Sequence, residues 1–341
     1  MRRGWLVAAC AVAALLAGGA LGGAWWLSRY LDTPLDVPTD SVFEVRSGQG
    51  VGSVARALAR EGWLDHPRVL ALWARWSFDD LSIRAGEYRV DPGLTAPELL
   101  ERMRRGDVVL HGLTVPEGAT FADFLAAVRA HPAVRVTEHS PESLMEALGE
   151  PGRAPEGLFF PETYRFARGT TDVALLRQAR DQMRRHKAEA WAMRRPGLPL
   201  ADPYEMLILA SIIEKETGLD SERERVAGVF VRRLDIGMRL QTDPTVIYGL
   251  GDDFDGRLRR RDLTTDTPFN TYTRHGLPPT PIALPGRRSL EAAVNPADED
   301  ALYFVATGLP DGSHHFSATL DEHNSAVARY LERLRERRAR D

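Results

Sequence analysis

The sequence predicts an α+β protein: a single N-terminal transmembrane helix, a βααβ subdomain and a mixed α/β domain at the C-terminal end. Three observations support this class. Residues 4–27 form one uncharged, mostly apolar run. After it, a strand residue, a turn glycine and a helical period recur four times. Residues 202–218 have the start and stop signals of a buried helix.

The composition is that of an ordinary globular protein. The chain has 341 residues, of which 43% are hydrophobic and 27% charged, enough for a membrane segment and one or two folded domains. The formal net charge is −4, and no basic stripe is interleaved with aromatic residues. We therefore expect no nucleic acid among the partners.

The uncharged run is long enough to cross a bilayer. About 24 residues at a rise of 1.5 Å each span a hydrocarbon core of roughly 30 Å. Arg2 and Arg3 precede the run, so the positive-inside rule predicts a cytoplasmic N-terminus and an exported remainder. We predict a cytoplasmic tip (1–4), a transmembrane helix (5–27) contacting the lipid bilayer, and an extended tether (28–40). A cleaved signal peptide is the alternative, but no clean small-x-small cleavage site follows the run.

Metal and cofactor chemistry has little support. Cys10 is the only cysteine, and it lies in the apolar run, so the exported part can form no disulfide or thiol nucleophile. The histidines lack ligand spacing, and the chain contains no Walker loop, dinucleotide fingerprint or nucleophile elbow. We predict no metal and no cofactor.

Four turn glycines organise the region after the tether. Gly48, Gly93, Gly118 and Gly169 each follow a strand residue by three positions and precede a helical period, which predicts turns with positive φ. The first unit continues into a β-α-α-β order, with elements at 43–46, 51–60, 67–76 and 86–90.

This βααβ order, opened by Val45 to Gln49, resembles the LysM module, which binds glycan chains of N-acetylated sugars. We therefore assign 41–110 as a LysM-like subdomain and expect exposed aromatic side chains there if it stacks on sugars. Residues 111–165 are predicted to be a connecting βα region, with a loop-rich hinge at 151–161. Residues 166–341 are assigned to the catalytic domain.

The helix at 202–218 carries the strongest chemical signal. Asp202 can cap its first amides with Glu205 completing a capping box, and Gly218 can end it. Its interior is apolar on nearly all sides, yet Glu214 and Glu216 lie in the last turn. At about 100° per residue they project to nearly opposite sides, so they cannot share one role.

Glu214 has the attributes of a general acid. A carboxyl at a helix C-terminus, set against apolar side chains, is favoured in its neutral form. The competing interpretation is that the helix simply leaves the core at Glu214 and its charges meet solvent.

Three later segments look like a sugar-binding surface. Residues 240–249, 270–273 and 276–282 are predicted to be irregular, and they are rich in amide, hydroxyl and aromatic groups. Such groups suit a carbohydrate, whose hydroxyls need hydrogen bonds and whose ring faces stack on aromatic rings.

These segments carry a specific resemblance. Residues 210–217 (ASIIEKET), 239–249 (RLQTDPTVIYG), 272–273 (YT) and 276–279 (GLPP) are similar to the MltG/YceG-like family of bacterial endolytic murein transglycosylases. The resemblance covers essentially the whole exported region.

The resemblance implies a lyase that cleaves the β-1,4 bond between N-acetylmuramic acid and N-acetylglucosamine in nascent peptidoglycan, leaving 1,6-anhydro ends. It implies that Glu214 is catalytic, that peptidoglycan glycan strands are the substrate, and that penicillin-binding-protein synthases are partners. The catalytic domain would then face the outside of the inner membrane.

An anhydro-forming reaction needs no water, so one carboxyl can act as acid and then as base. We predict that Glu214 does both, and that the glycan strand is oriented by Gln241, Asp243, Tyr248, Asn270, Tyr272 and Thr273. Three alternatives stay open. Asp243 could be a second carboxylate of a hydrolytic muramidase, Glu216 could be the true acid, or the protein could be a glycan-binding scaffold without catalysis.

Overall fold

The structure is a computed structural model that describes residues 2–138 and 140–340. The chain forms two compact units. The first contains the residues up to His111 together with Phe166–Gly169, and the second contains Gly112–Arg165 and the chain from Thr170 onward. The region predicted as a connector and hinge therefore belongs to the same unit as the C-terminal residues. Met1 of the predicted cytoplasmic tip and Asp341 of the predicted catalytic domain lie outside the described residues.

The N-terminal helix, α1, covers Arg2–Asp32. Within it, Cys10–Asp32 is long and apolar enough to cross a membrane, judged by length and composition alone. The helix continues through 28–32, which the sequence analysis assigned to an extended tether, because no helix-breaking residue occurs before Pro34. Leu35 is then buried in the core of the first unit, so this segment is docked rather than free.

The first unit has the predicted βααβ order. Its elements are β1 (Ser41–Val45), α2 (Val51–Arg60), α3 (Pro67–Ser77), β2 (Gly86–Val90) and α4 (Ala96–Arg105). Strands β1 and β2 pair antiparallel from Ser41↔Val90 to Val45↔Gly86, and α2 packs against α3. Trp63 and Trp73 are half-buried against the core, whereas Trp76 is 87% exposed. The element order is confirmed, and the LysM-like identity stays a prediction.

The chain from Leu110 to Arg340 is mainly helical. From Leu110 onward the elements are β3 (Leu110–Thr114), α5 (Phe121–Ala130), β4 (Val134–Arg135), α6 (Pro141–Ala147), β5 (Thr163–Ala167), β6 (Thr170–Thr171), α7 (Asp172–Ala192), α8 (Pro203–Glu216), α9 (Arg223–Asp235), α10 (Asp243–Leu250), α11 (Arg260–Thr264), α12 (Arg287–Val294), β7 (Tyr303–Ala306), β8 (His314–Ser317) and α13 (Leu320–Arg340). The strands form pairs: β3 with β5, β4 parallel to β6, and β7 antiparallel to β8.

The four turn glycines behave as predicted. Gly48, Gly93, Gly118 and Gly169 have φ values of 83°, 94°, 76° and 83°, in the region where a side chain is disfavoured. Helices α2, α4, α5 and α7 follow them in order.

Helix α8 is the centre of the second unit. Asp202 accepts hydrogen bonds from the backbone N–H groups of Tyr204 and Glu205, as predicted, while Glu205 accepts from Ala201 instead of closing a capping box. The residues from Met206 to Ile213 are buried, and α8 packs against α7, α9, α10 and α12. The helix ends at Glu216, because the backbone of Thr217 is extended, with φ of −140°.

One predicted loop is a helix. Residues 240–249 were expected to be irregular, but α10 begins at Asp243. Pro244 is compatible with a turn, but proline is also well tolerated in the first turn of a helix. Just before the helix, Gln241 has a positive φ of 49°.

Candidate active site

The Glu214 carboxylate is enclosed by hydrogen-bond donors. Its Oε1 lies 3.2 Å from Nη2 of Arg223, and its Oε2 accepts the backbone N–H of Gly286 at 2.9 Å. Gly286 is the N-cap of α12, whose positive helix end therefore faces the carboxylate. The Glu214 side chain is 5% exposed. The sequence argument considered α8 alone and did not include these partners.

Arg223 contacts two further carboxylates. Its Nη2 lies 3.9 Å from Oε2 of Glu117, and its Nη1 lies 3.2 Å from Oδ1 of Asp220. Asp220 also pairs with Arg288. Burial, followed by the negative charge of Glu214, raises the pKa of Glu117. The guanidinium is only 7% exposed, so its pair with Glu214 is shielded from solvent, whereas Glu117 and Asp220 are about half exposed.

The loop between β3 and α5 forms one wall of the site. Lys215 donates from Nζ to the carbonyl oxygen of Gly118 at 3.0 Å, and Gly118 donates to the carbonyl of Leu284. The same loop lines a cavity of about 300 Å³, together with the first turns of α5. Among its lining residues are Val115, Pro116, Glu117, Gly118, Asp123 and Phe124.

Glu216 lies in different surroundings. The Thr242 hydroxyl donates to its Oε1, and burial, followed by the charge of Asp243, raises the pKa of Glu216 against the effect of that hydrogen bond. Asp243 accepts from the Tyr272 hydroxyl at 2.6 Å. Among the described residues the two glutamates share none of these partners, as their helical spacing predicted.

Tyr248 contacts a carboxyl that the sequence analysis did not single out. Its hydroxyl donates to Oε2 of Glu156 at 3.2 Å, and the backbone N–H of Phe121 donates to Oε1 at 3.0 Å. Burial raises the pKa of Glu156 to about 7. The available signal was a glutamate inside an apolar, aromatic-rich loop, where a lone charge is costly.

The remaining predicted site residues divide into two groups. Asn270 is buried, its Nδ2 donates to the carbonyls of the preceding turn and its Oδ1 accepts from Tyr272, so its amide supports the loop. Thr273 donates to Asp266. Gln241 has an exposed side chain beside Thr242. The predicted residues therefore lie on the Glu216 side of α8: Gln241, Asp243 and Tyr272. The sequence analysis missed the residues that surround Glu214, which are Arg223, Gly286 and Glu117.

The sequence profile described as the YceG-like family matches residues 43–329, so the chain belongs to that family. Relatives that carry the name endolytic murein transglycosylase include two from different genera. The protein of Bacillus subtilis strain 168 is 29% identical over 342 residues, which is 91% of each chain. The protein of Streptococcus pneumoniae serotype 2 strain D39 is 26% identical over 358 residues, 94% of this chain and 64% of the relative.

A solved structure agrees with this placement. The 2.6 Å crystal structure of a yceG-like protein from Listeria monocytogenes matches with a TM-score of 0.51 and 28% identity, covering 84% of this chain and 99% of that one. The predicted family and the predicted class of enzyme acting on peptidoglycan are confirmed by these matches.

Proposed function

We propose that this protein is a membrane-anchored endolytic lytic transglycosylase of peptidoglycan. It cleaves the β-1,4 bond between N-acetylmuramic acid and N-acetylglucosamine in nascent glycan strands and leaves 1,6-anhydro-N-acetylmuramic acid ends. The observation that carries the proposal is the Glu214 carboxyl, held between Arg223 and the N-terminus of α12 at the end of a buried helix.

Glu214 serves in both halves of the reaction. As an acid it donates its proton to the glycosidic oxygen while the bond from that oxygen to C1 of the muramic residue breaks. As a carboxylate it then removes the proton from the C6 hydroxyl, whose oxygen attacks C1. The proton balance closes without water, so the product is lighter than a hydrolysis product by one water molecule.

The contacts of Glu214 fix the orientation of its carboxyl. Arg223 and the Gly286 amide hold the carboxylate in one orientation before the sugar binds. The low exposure of the carboxylate means that its contacts adjust when the sugar enters, since catalytic hydrogen bonds often reach their productive geometry only in the substrate complex.

Substrate orientation is assigned to the polar surface beside α10. Gln241, Asp243, Tyr248, Tyr272 and Thr273 offer amide, carboxylate and hydroxyl groups to the sugar, and Tyr248 and Tyr272 add ring faces. Asn270 acts through the loop that it holds together.

The decisive experiment replaces Glu214 with Gln and digests purified sacculi. We expect loss of anhydro-muropeptides, measured by mass spectrometry, while the matched variant Glu224→Gln, at an exposed position on α9, keeps parental release. Undiminished anhydro-muropeptide release by the Glu214 variant would remove this residue from the mechanism. Retained sacculus binding without soluble products from the parent protein would favour a scaffold instead.

A hydrolytic muramidase is the second candidate. Asp243 is exposed and accepts a hydrogen bond from Tyr272, so a second carboxylate is held in a fixed orientation on the proposed binding surface. In that mechanism water attacks C1, and the products carry reducing ends without the anhydro mass. The same mass spectra therefore separate the two reactions.

The N-terminal helix supports the proposed location. Cys10–Asp32 can span the inner membrane, with Arg2 and Arg3 on the cytoplasmic side, which leaves the catalytic unit outside. Such an anchor would keep the enzyme close to newly made strands and to penicillin-binding-protein synthases. Crosslinking of the full-length protein in membranes tests that association.

A further inference from the structure

Helix α3 of the first unit has an exposed apolar side. Leu72 and Trp76 are 60% and 87% exposed. They lie four residues apart, so they share one side of the helix, opposite the buried Leu70 and Ala74 that join α3 to the core. Single exposed apolar residues are ordinary, whereas a contiguous exposed patch marks a contact surface.

The same side of the helix is basic. Arg68 precedes Leu72 by four residues and Arg75 follows it by three, so both guanidiniums flank the apolar pair. Both are exposed, and neither makes an ion pair with any residue that the structure describes. The helix itself contains no carboxylate, since Asp65 and Asp79 lie beyond its two ends. An apolar stripe between two arginines complements anionic headgroups that lie over hydrocarbon.

The start of α3 is fixed against the end of α1. The Tyr30 hydroxyl donates to the carbonyl oxygens of Asp65 and His66, at 2.8 and 3.2 Å. The ring of His66 lies 5.7 Å from the ring of Trp26, measured between centroids. The α3 helix begins directly after His66, so it starts beside the last turns of α1.

With α1 across the bilayer, these contacts set the height of α3. Trp26 lies six residues before the end of the candidate span at Asp32, a rise of about 9 Å. From His66 to Trp76 the chain rises by about 15 Å at most, whatever the direction of the helix. Even a helix directed straight outward would thus place Trp76 about 6 Å beyond the span, which is roughly the depth of one headgroup layer.

We propose that one face of α3 is a second membrane contact, in which the apolar pair inserts between anionic lipid headgroups. This face, called the α3 face, comprises Arg68, Leu72, Arg75 and Trp76. The proposal rests on the part of the proposed function in which α1 spans the inner membrane. A single spanning helix leaves the protein free to rotate about the helix axis, and the α3 face would restrain that rotation.

A glycan strand is the alternative occupant of this face, since an exposed tryptophan can stack on a sugar ring. Sugar hydroxyls need hydrogen-bond acceptors as well as donors beside the ring. The α3 face offers guanidinium donors but no amide, hydroxyl or carboxylate oxygen of a side chain. Its charge and its height therefore favour lipid over sugar.

The test places a fluorophore beside the α3 face of the full-length protein. The variant carries Cys10→Ser and Ala71→Cys, so the label sits on a half-buried position and leaves all four side chains of the face in place. The vesicles contain phosphatidylcholine with about 30% phosphatidylglycerol, with or without a nitroxide on the lipid headgroup. We expect the nitroxide to lower the emission at least about twofold, because an interfacial helix buries its apolar side in the headgroup boundary.

Two double variants separate the apolar and the charged contributions. Leu72→Ser with Trp76→Ser, and Arg68→Gln with Arg75→Gln, should each remove most of the quenching. Raising the salt to about 0.5 M should weaken the quenching in the parent protein, because it screens the arginines. Arg185→Gln is the matched control, since it removes an exposed arginine from α7 and should leave the quenching unchanged. Thermal unfolding identifies any variant that does not fold.

A label on the native Cys10 tests the span separately, with a nitroxide on the lipid acyl chain. Quenching at Cys10 without quenching at position 71 would overturn the α3 contact and leave the proposed location intact. Quenching at neither position would overturn the spanning helix itself. Quenching at position 71 that survives both double variants would mean that α1 alone holds α3 near lipid, and it would also overturn the proposal. An emission change on addition of purified glycan strands, without quenching by lipid, would assign the face to sugar.

Discussion

The last turn of α8 carries two glutamates, two residues apart, in opposite electrostatic surroundings. Glu214 accepts from a guanidinium and from a helix N-terminus, both of which stabilise negative charge. Glu216 accepts from one hydroxyl and lies near Asp243, whose charge opposes its ionisation. Two residues of the same type on the same helix end are therefore surrounded by different partners, which come from other segments.

The comparison indicates separate roles for the two sides of the helix. In the proposed mechanism Glu214 transfers the proton. Glu216 instead accepts from Thr242, which precedes the helix bearing Asp243 and Tyr248. We expect substitutions on the first side to change chemistry and those on the second to change binding and stability.

The largest expected effect separates Glu214 from Glu216 directly. Glu214→Gln should lower the initial rate of anhydro-muropeptide release by about 10³-fold, because general acid–base groups contribute roughly 10² to 10⁴. Glu216→Gln should lower it by about tenfold or less. A reversed order, measured with equal amounts of folded protein, would make Glu216 the acid and break the comparison.

Arg223 tests what holds Glu214 in place. Arg223→Gln leaves a nearly buried carboxylate without its cation, and loss of one partner from a buried pair costs about 3–5 kcal/mol of the free energy of unfolding. Urea unfolding at pH 8 measures the loss. The matched change Arg225→Gln breaks a partly exposed pair with Glu299 and should cost under about 1 kcal/mol, and equal costs for the two would contradict the buried-pair argument.

Glu156 extends the comparison to a third enclosed carboxyl. Its pKa is about 7 in the folded protein against a reference of 4.5, so it favours folding fully below pH 4.5 and loses that contribution as the pH rises to 7. The shift corresponds to about 3 kcal/mol. Glu156→Gln should therefore unfold like the parent at pH 4 and be up to about 3 kcal/mol more stable at pH 8.

Denaturant unfolding at both pH values measures this difference. Glu162→Gln is the control, since its carboxyl lies on an exposed residue at the end of the same loop. A constant gap between Glu156→Gln and the parent from pH 4 to pH 8 would show that titration of Glu156 does not contribute.

Local signals were sufficient for much of the architecture. The cap at Asp202, the positive φ of Gly118 and the βααβ order are set by residues within a few positions, so their patterns could be read directly. The opposite directions of Glu214 and Glu216 follow from helical geometry in the same way.

The partners of Glu214 could not be read in that way. Gly286 is 72 residues from Glu214 along the chain. Gly118, which contacts the neighbouring Lys215, is 97 residues from that lysine. A glycine, an arginine in an amphipathic helix and a glutamate in a turn carry no local sign that they converge. Helix α10 was missed for another reason, because Pro244 fits both a turn and a first helical turn.

The smallest predicted effect concerns Thr242, which is buried and donates to Glu216. Thr242→Val removes this donor at nearly constant volume and should cost about 1 kcal/mol of the free energy of unfolding. Because the hydroxyl opposes the rise in the pKa of Glu216, its loss should raise that pKa further and increase the cost as the pH rises. The exposed Thr265→Val, measured by urea unfolding at pH 5 and 8, should show a smaller cost that is independent of pH. An equal cost of Thr242→Val at pH 5 and pH 8 would contradict the argument that this hydroxyl opposes the rise in the pKa of Glu216.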